Sequence, residues 1–532
     1  MRDSLLRKIG RLLSRLFSRF PDDPGVHPQA FVSMGQGQPG QVGVVYGTLA
    51  FQSVPDKFYF LLFGAIRANL RAFLQGRAEL VVVRAVNGAV GTGMLAEIKR
   101  AAPVSWLWSS QWVRAYGTLV DGVAYSCASW AYPFSSLTDW VRSKTLWRQL
   151  QQQVETYTLL IDGIEVADLL VDAYLRFRPS PEFEVTDPFV RRLIWQALRN
   201  VRQAQNYFGR MRPRVYLTSY TTYLEHGIPA RVALHQGVDV WSFGNLNSFG
   251  KRLSLGDSYH TQDFSAYRSA FEALDHQAER LQEAGKELEN RLAGGIDAAT
   301  SYMRQSAYAN IDIKLPPDLA GAIVIFLHDF YDSPHIYPKL VFKDFWSWIC
   351  FTIDTLQGTG AKFYLKSHPN QIALSDKAID RLQTKYPSLQ WVPSGVSNAE
   401  LTRAGIACGI TVYGTVAHEL AYLGVPSICC AQHPHHTFDF CRTAQTRAQY
   451  EAMLSTYTDL PVSKEEMRKQ ALSFYYIHNL HKDAQQGELH RAFVNFWKEC
   501  NVDKNSEESV MKSFRELVEQ PAFDIYVKAM MN

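Results

Sequence analysis

The chain has 532 residues, 47% of them hydrophobic, and a formal net charge of +4. That length exceeds the roughly 300 residues one core usually fills, so two α/β domains with appendages are expected. The small net charge excludes a general polyanion-binding surface, and the seven scattered cysteines fit neither a disulfide framework nor a zinc pattern, as in a reducing cytoplasm.

At the amino terminus Leu5, Ile9, Leu12, Leu16 and Phe20 recur at helical spacing, while Lys8, Arg11, Arg15 and Arg19 follow another stripe. The pattern predicts a basic amphipathic helix over residues 1–20, of the kind that lies in the headgroup region of an anionic membrane, the ordinary reading being a helix docked on the protein's own surface. Arginines interrupt every turn, so the segment lacks the continuous apolar core of a secretory signal. No run approaches the roughly 18 to 20 apolar residues that span a bilayer. The expected location is cytoplasmic, peripheral at the inner face of the cell membrane.

After a Gly- and Pro-rich connector, Val42 to Leu49 and Glu79 to Val86 read as strands around an apolar helix from Phe58 to Leu74. They open a first domain over residues 21–310. Gly88, Gly91 and Gly93 follow the second strand, but their spacing is not the dinucleotide fingerprint and suits a tight turn. Further on, Asp162, Glu165, Asp168 and Asp172 crowd one stretch beside Leu160, Ile161, Leu169, Leu170 and Val171. Carboxylates held among apolar residues cost desolvation energy unless used or paired, so one functional acid is expected; capping and solvent-facing acids are the ordinary reading. In a helix Asp168 and Asp172 share a face, and they rank first as the acceptor-side base or nucleophile. The strand Arg214 to Ser219 precedes Tyr220, Tyr223, His226 and Arg231. Polar aromatics at a strand end suit sugar stacking and hydroxyl recognition, or an aromatic core edge.

A charged helical stretch from Phe264 to Arg291 and a weakly patterned one from Ala293 to Leu315 mark the domain boundary. The second domain, residues 311–475, begins with the strand Ala322 to Leu327. Another strand, Lys362 to Leu365, stops at Lys366, Ser367, His368, Pro369 and Asn370. Ser397 to Glu400 is a capping box ahead of the strand Ile406 to Val412. Tyr413 and Gly414 then turn the chain, and Thr415 is positioned to cap a helix running to about Leu423. A helix start at a strand end leaves N–H groups for phosphate. Thr415 and His418 would approach that phosphate, with Glu419 on the ribose hydroxyls; ordinary helix capping and a satisfied structural histidine after a strand are the alternative reading. Lys366 and His368 would meet the same phosphate, His368 as hydrogen-bond or proton donor. Pro426 to Ala431 reads as the next strand. In the run His433, Pro434, His435, His436, Pro434 is expected to spoil metal geometry and no cysteine spacing accompanies it, so the loop is read as bordering the nucleotide without a metal. Residues 476–532 are expected to be helical.

The pair His368-Pro369 and the string GTVAHELAYLGVP at residues 414–426 resemble the two-Rossmann, GT-B type glycosyltransferases of bacterial surface and capsular polysaccharide synthesis. The segments 163–176 and 329–335 are similar to the same family, and the resemblance covers about residues 155 to 450. It implies an α/β fold of two Rossmann-like domains facing a central cleft, with the last helices packing back on the first domain. It also implies that the His-Pro pair and Gly414-Thr415 bind the nucleotide phosphate, with a nucleotide-sugar donor as substrate and no separate cofactor. The implied donor is a CMP-linked acidic sugar such as Kdo or a sialic acid, and the acceptor a growing surface glycan or glycolipid; nucleic acid is not a partner. Asp162-Gly163 is similar to the acidic-Gly motif of sialyltransferase-like enzymes, but Ile161 replaces its first acid. Two other functions fit the sequence. A polyol-phosphate transferase of the teichoic-acid type would retain phosphorus in its product, and a non-catalytic nucleotide-binding subunit would tolerate loss of all four acids.

Overall fold

Short, mostly apolar runs form the central strands, because a parallel strand covered on both faces has no solvent side. Ile323–Phe326 is buried at every position, and so is Val215–Thr218. In the computed structural model of the chain, the described residues are the strands at 44–48, 78–83 and 122–126, short helical pieces at 61–62 and 65–66, and most of 133–529. Residues 301–313, 368–372 and 501–506 fall outside them, as do the expected helix over 1–20, the glycine turn at 88–93 and His368.

The first unit contains Val44–Thr48 (β1), Ala78–Val83 (β2), Gly122–Ser126 (β3), a hairpin of Leu160–Ile161 (β4) and Ile164–Glu165 (β5), then Val215–Thr218 (β6), Asp239–Asn245 (β7) and Ser248–Arg252 (β8). Its six-stranded sheet has the order β3-β2-β1-β6-β7-β8, parallel except for β8. The second unit contains Ile323–Phe326 (β9), Phe363–Lys366 (β10), Trp391–Val392 (β11), Cys408–Ile410 (β12), Ser427–Cys429 (β13) and Arg442–Thr443 (β14). These strands form a fully parallel sheet in the order β11-β10-β9-β12-β13-β14. Counted within each unit and leaving out the hairpin, both orders are 3-2-1-4-5-6, the doubly wound arrangement of a Rossmann unit. Each sheet therefore has a switch point: between β1 and β6 in the first, between β9 and β12 in the second.

The units share buried surface. The carboxylate of Asp344 caps the helix Phe345–Thr359 at Ser347 N, and its other oxygen accepts from Phe183 N of the first unit at 2.7 Å. The helix Gln277–Leu292, which precedes the boundary expected near residue 310, places Ala284 and Leu288 in one core with Ala417, Phe440 and Phe474 of the second unit. At the carboxyl terminus the chain crosses back. Phe249 of β8 packs against Phe493 and Phe523 at 5.6 Å between ring centroids, which joins the terminal helices to the edge of the first sheet. No described helix is long and apolar enough to cross a membrane.

Candidate active site at the junction of the two units

The acidic stretch of the first unit is a hairpin followed by a helix, not one helix. Asp162 and Gly163 both have positive φ, 49° and 84°, as the turn of a two-residue hairpin requires. The Asp162 carboxylate reaches outward to Arg142 at 2.9 Å, an exposed pair. Glu165 turns back to cap the next helix: its Oε1 accepts from the N–H groups of Leu159, Val166 and Ala167 at 2.9, 3.1 and 2.9 Å. Two of the four acids are thus engaged in shaping the backbone.

The other two share a face of the helix Ala167–Phe177, Asp172 buried and Asp168 partly exposed. Asp168 and the guanidinium of Arg231 form a two-pronged pair at 2.7 and 2.5 Å. Arg231, expected to meet the acceptor, is committed instead to Asp168 and to the carbonyl of Glu165 at 2.6 Å. Burial works to raise the Asp168 carboxyl, but Arg231 overrides it and holds Asp168 below the usual carboxylate range. Asp172 lies one turn further on, and its Oδ1 meets Nδ1 of His335 at 2.8 Å. His335 comes from the second unit, in the short 3-10 turn Pro334–Ile336 of the loop that leaves β9. The second oxygen of Asp172 is buried without a partner. Burial raises the Asp172 carboxyl despite the opposing pull of His335. For His335 burial acts to lower the pKa, and the Asp172 carboxylate outweighs it, so the imidazole is raised above its ordinary value.

This contact lies where ligand sites are expected, because open α/β sheets bind outside the carboxyl ends of strands at the switch point. The loop 327–336 leaves β9 at the second switch point, and Tyr220 to Tyr223 leave β6 at the first. Tyr223 has φ +62°, a left-handed conformation that costs a non-glycine residue about 1 to 3 kcal/mol and is held only where the surroundings dictate it. Its phenol is pushed up by burial and by Asp332, with the Ser333 hydroxyl easing the shift, so it faces the same second-unit loop. Tyr220 sits edge-on to His260 at 5.0 Å. His226 is buried and pushed down to about 3 by burial, with His260 adding to the effect. Beside it is Glu225, whose carboxyl burial pushes up to about 8.

On the second sheet, Lys366 ends β10 and donates to the carbonyl of Ser394 at 2.7 Å. Burial pulls its ammonium down to about 8, with the Glu419 charge opposing. Gly414 N donates to Thr411 Oγ1 at 3.2 Å, and His328 Nε2 lies 3.0 Å from the same hydroxyl. Thr411 thereby ties the loop after β9 to the turn after β12. The helix Val416–Tyr422 begins at Thr415 as expected, but Thr415 is in the helical region and its side chain makes no capping bond. His418 and Glu419 are buried away from the turn. His418 packs on Phe474 and Tyr475 at 5.3 and 5.9 Å. Glu419 is paired with Arg291 at 2.8 Å and accepts from Asn398 at 2.6 Å. Lys366 thus ends β10 with its ammonium buried on Ser394 O, Gly414 and Thr415 lie in the turn after β12, and His418 and Glu419 are buried in the helix that follows.

The expectation that the His433 to His436 run lacks cysteine company is corrected by the fold. Cys429 ends β13 and Cys441 precedes β14, the neighbouring strand, so the loop between them closes on itself. Cys429, His433, His435 and Cys441 are all buried, with their ligand atoms within 4.8 Å of one another.

Sequence reasoning named Asp172 without its partner. His335 lies in a segment that resembled the family, but 163 residues separate the two, and no local spacing signals such a pair. Glu225 was missed because its burial, not its neighbours in sequence, makes it unusual. No protein-family model and no curated protein matches the sequence. Among solved structures, the chain is similar to the UDP-GlcNAc 2-epimerase of Neisseria meningitidis bound to UDP-GlcNAc, at 10% identity over 82% of this chain and 96% of that one, with a TM-score of 0.23. It is similar to the spinosyn rhamnosyltransferase SpnG at 11% identity over 92% and 100%, TM-score 0.23. It is also similar to the wall teichoic acid polymerase TagF at 8% identity over 97% and 99%, TM-score 0.21.

Proposed function

We propose that the protein is a glycosyltransferase in which His335, held by Asp172, is the base for the acceptor hydroxyl. The observation that carries this reading is the 2.8 Å contact between Asp172 Oδ1, on the helix Ala167–Phe177, and His335 Nδ1, in the loop after β9. A carboxylate on Nδ1 fixes the tautomer with its proton there and leaves Nε2 to accept one, the logic by which a buried acid orients a catalytic imidazole. In the step, Nε2 takes the acceptor proton as the acceptor oxygen bonds to the anomeric carbon. The bond from that carbon to the nucleotide phosphate breaks, and its electron pair leaves with the phosphate. A single displacement of this kind inverts the anomeric configuration.

The donor phosphate is assigned to the ends of β10 and β12, with Lys366, Gly414 and Thr415 facing it and His368 following Lys366 by two residues. Tyr220 and Tyr223 are assigned to the acceptor side. A CMP-linked acidic sugar as donor and a surface polysaccharide or glycolipid as acceptor, which rest on the family resemblance, and membrane association through residues 1–20, which rests on the helical stripes, complete the reading. A thermal-shift screen of CMP, CDP, UDP, GDP and ADP followed by turnover of the matching sugar donor tests it: one nucleotide should stabilise the chain, and its sugar should be transferred. Stabilisation by none of them would remove the donor assignment.

A further inference from the structure

The buried loop between β13 and β14 has the composition of a closed metal centre, and we propose that Cys429, His433, His435 and Cys441 bind one structural Zn2+ ion. All four are wholly or almost wholly buried, and their donor atoms lie within 4.8 Å of one another. Two sulfurs and two imidazole nitrogens are the usual tetrahedral zinc set, and four protein ligands with no open position mark a structural rather than a catalytic site.

The polar atoms agree. His435 is fully buried, and neither ring nitrogen has a partner of hydrogen-bond geometry; Nδ1 of His433 is orphaned as well. Buried polar nitrogens without partners are uncommon and call for a ligand. The other nitrogen of His433, Nε2, is bonded to Thr443 Oγ1 at 2.7 Å. That is the outer contact which orients an imidazole and leaves its free nitrogen for a metal. The thiols of Cys441 and Cys429 are 3.3 Å apart, so opening the pair by about half an ångström reaches the roughly 3.8 Å that two Zn–S bonds of about 2.3 Å subtend at a tetrahedral angle. His435 is fixed by stacking on Phe440 at 5.0 Å. Pro434 separates the two histidines without preventing their approach, because the loop is a series of turns rather than a strand or helix.

Zinc here would tie the loop 430–441 to the carboxyl end of β13 and the start of β14. The inference does not depend on the transfer reaction. The full chain purified without chelator should carry about one zinc per chain by elemental mass spectrometry. Replacement by Co2+ should give the intense thiolate-to-cobalt charge-transfer band and the visible d–d envelope of a tetrahedral site. Cys441→Ser should lose most of the charge-transfer intensity, while Cys500→Ser, on a distant helix, should keep it. Should Cys441→Ser fail to fold, the wild-type cobalt spectrum decides alone. Zinc far below stoichiometric with no tetrahedral cobalt spectrum, or a Cys429–Cys441 disulfide in a non-reduced digest, overturns the proposal.

Discussion

Asp172 of the first unit and His335 of the second meet at 2.8 Å across a sequence separation of 163 residues, so the pair exists only when the two units are joined as they are here. One helix turn away, Asp168 makes a different kind of contact, a two-pronged pair with Arg231 inside the first unit. The two acids share a helix face and differ in role.

That difference predicts opposite signatures for the two Asn variants. Asp168→Asn leaves Arg231 buried without its counter-charge, a loss of about 3 to 5 kcal/mol for a broken buried pair, and should appear chiefly as lower stability. Asp172→Asn removes a carboxylate that burial already disfavours and should cost little stability while removing turnover. Chemical denaturation and initial rates on both variants check the contrast; equal stability losses would contradict it. Asp162→Asn should do neither, since its pair with Arg142 is exposed and such pairs are worth about 0 to 1 kcal/mol.

The pH dependence follows from the raised His335. As a base His335 must be neutral, so the acidic limb of kcat/KM should lie above histidine's ordinary value of about 6.5. Asp172→Asn should move any residual limb downward. Stability has its own sign: a histidine raised in the folded state contributes stability fully present below about 6.5 and lost as pH rises through its folded value. Asp172, raised as well, contributes in the same direction from about pH 3.9 upward. The melting-temperature advantage of the wild type over Asp172→Asn should therefore shrink as pH rises across this window, a difference from which the opposite contributions of the depressed His226 and Asp168 cancel. A wild-type-to-variant difference that does not change with pH would show that the pair does not titrate as described.

Gly227 tests the packing behind the site. A Cβ at this position would lie 2.5 Å from both Leu169 Cδ2 and the backbone oxygen of Thr221, and backbone cannot move aside as a side chain can. Gly227→Ala should destabilise by about 1 to 3 kcal/mol through overpacking and displace the helix that carries Asp168 and Asp172. Wild-type stability would mean that the helix Tyr223–His235, which carries Gly227, is less closely apposed to the helix Ala167–Phe177.

Much of the architecture was legible because it is written in local patterns. The runs around 323, 363, 408 and 427 are short and mostly apolar, and Ser397 with Glu400 forms the capping box its spacing announced. The helical tail was legible for the same reason. What escaped depends on contacts between distant residues. Glu165 could not be told from a catalytic acid, because its three backbone bonds require the hairpin at Asp162 and Gly163 to form first. Glu419 looked available on its helix turn, but Arg291, on a helix expected in the other domain, approaches it from outside the motif. Cys429 and Cys441 are twelve residues apart, and only the parallel pairing of β13 with β14 brings their sulfurs together.

The amino-terminal stripes carry a prediction independent of the site. Several buried Leu, Ile and Phe side chains at about 25 cal/mol per Å², with about 1 kcal/mol for each basic residue near an anionic surface, suffice for reversible binding. Deleting residues 1–20 should release the protein from anionic liposomes and leave transfer to a soluble acceptor intact, and salt should weaken the intact protein's binding. Sedimentation of the truncated chain with liposomes would contradict the assignment.

The central claim is that His335 takes the acceptor proton, and the most direct measurement is single-turnover transfer by His335→Gln alongside its nucleotide affinity. Loss of a positioned base lowers the rate by about 10² to 10⁴, with the nucleotide Kd and melting temperature near wild type. A transfer rate within a few-fold of wild type, or a matching loss of nucleotide binding, would contradict the account.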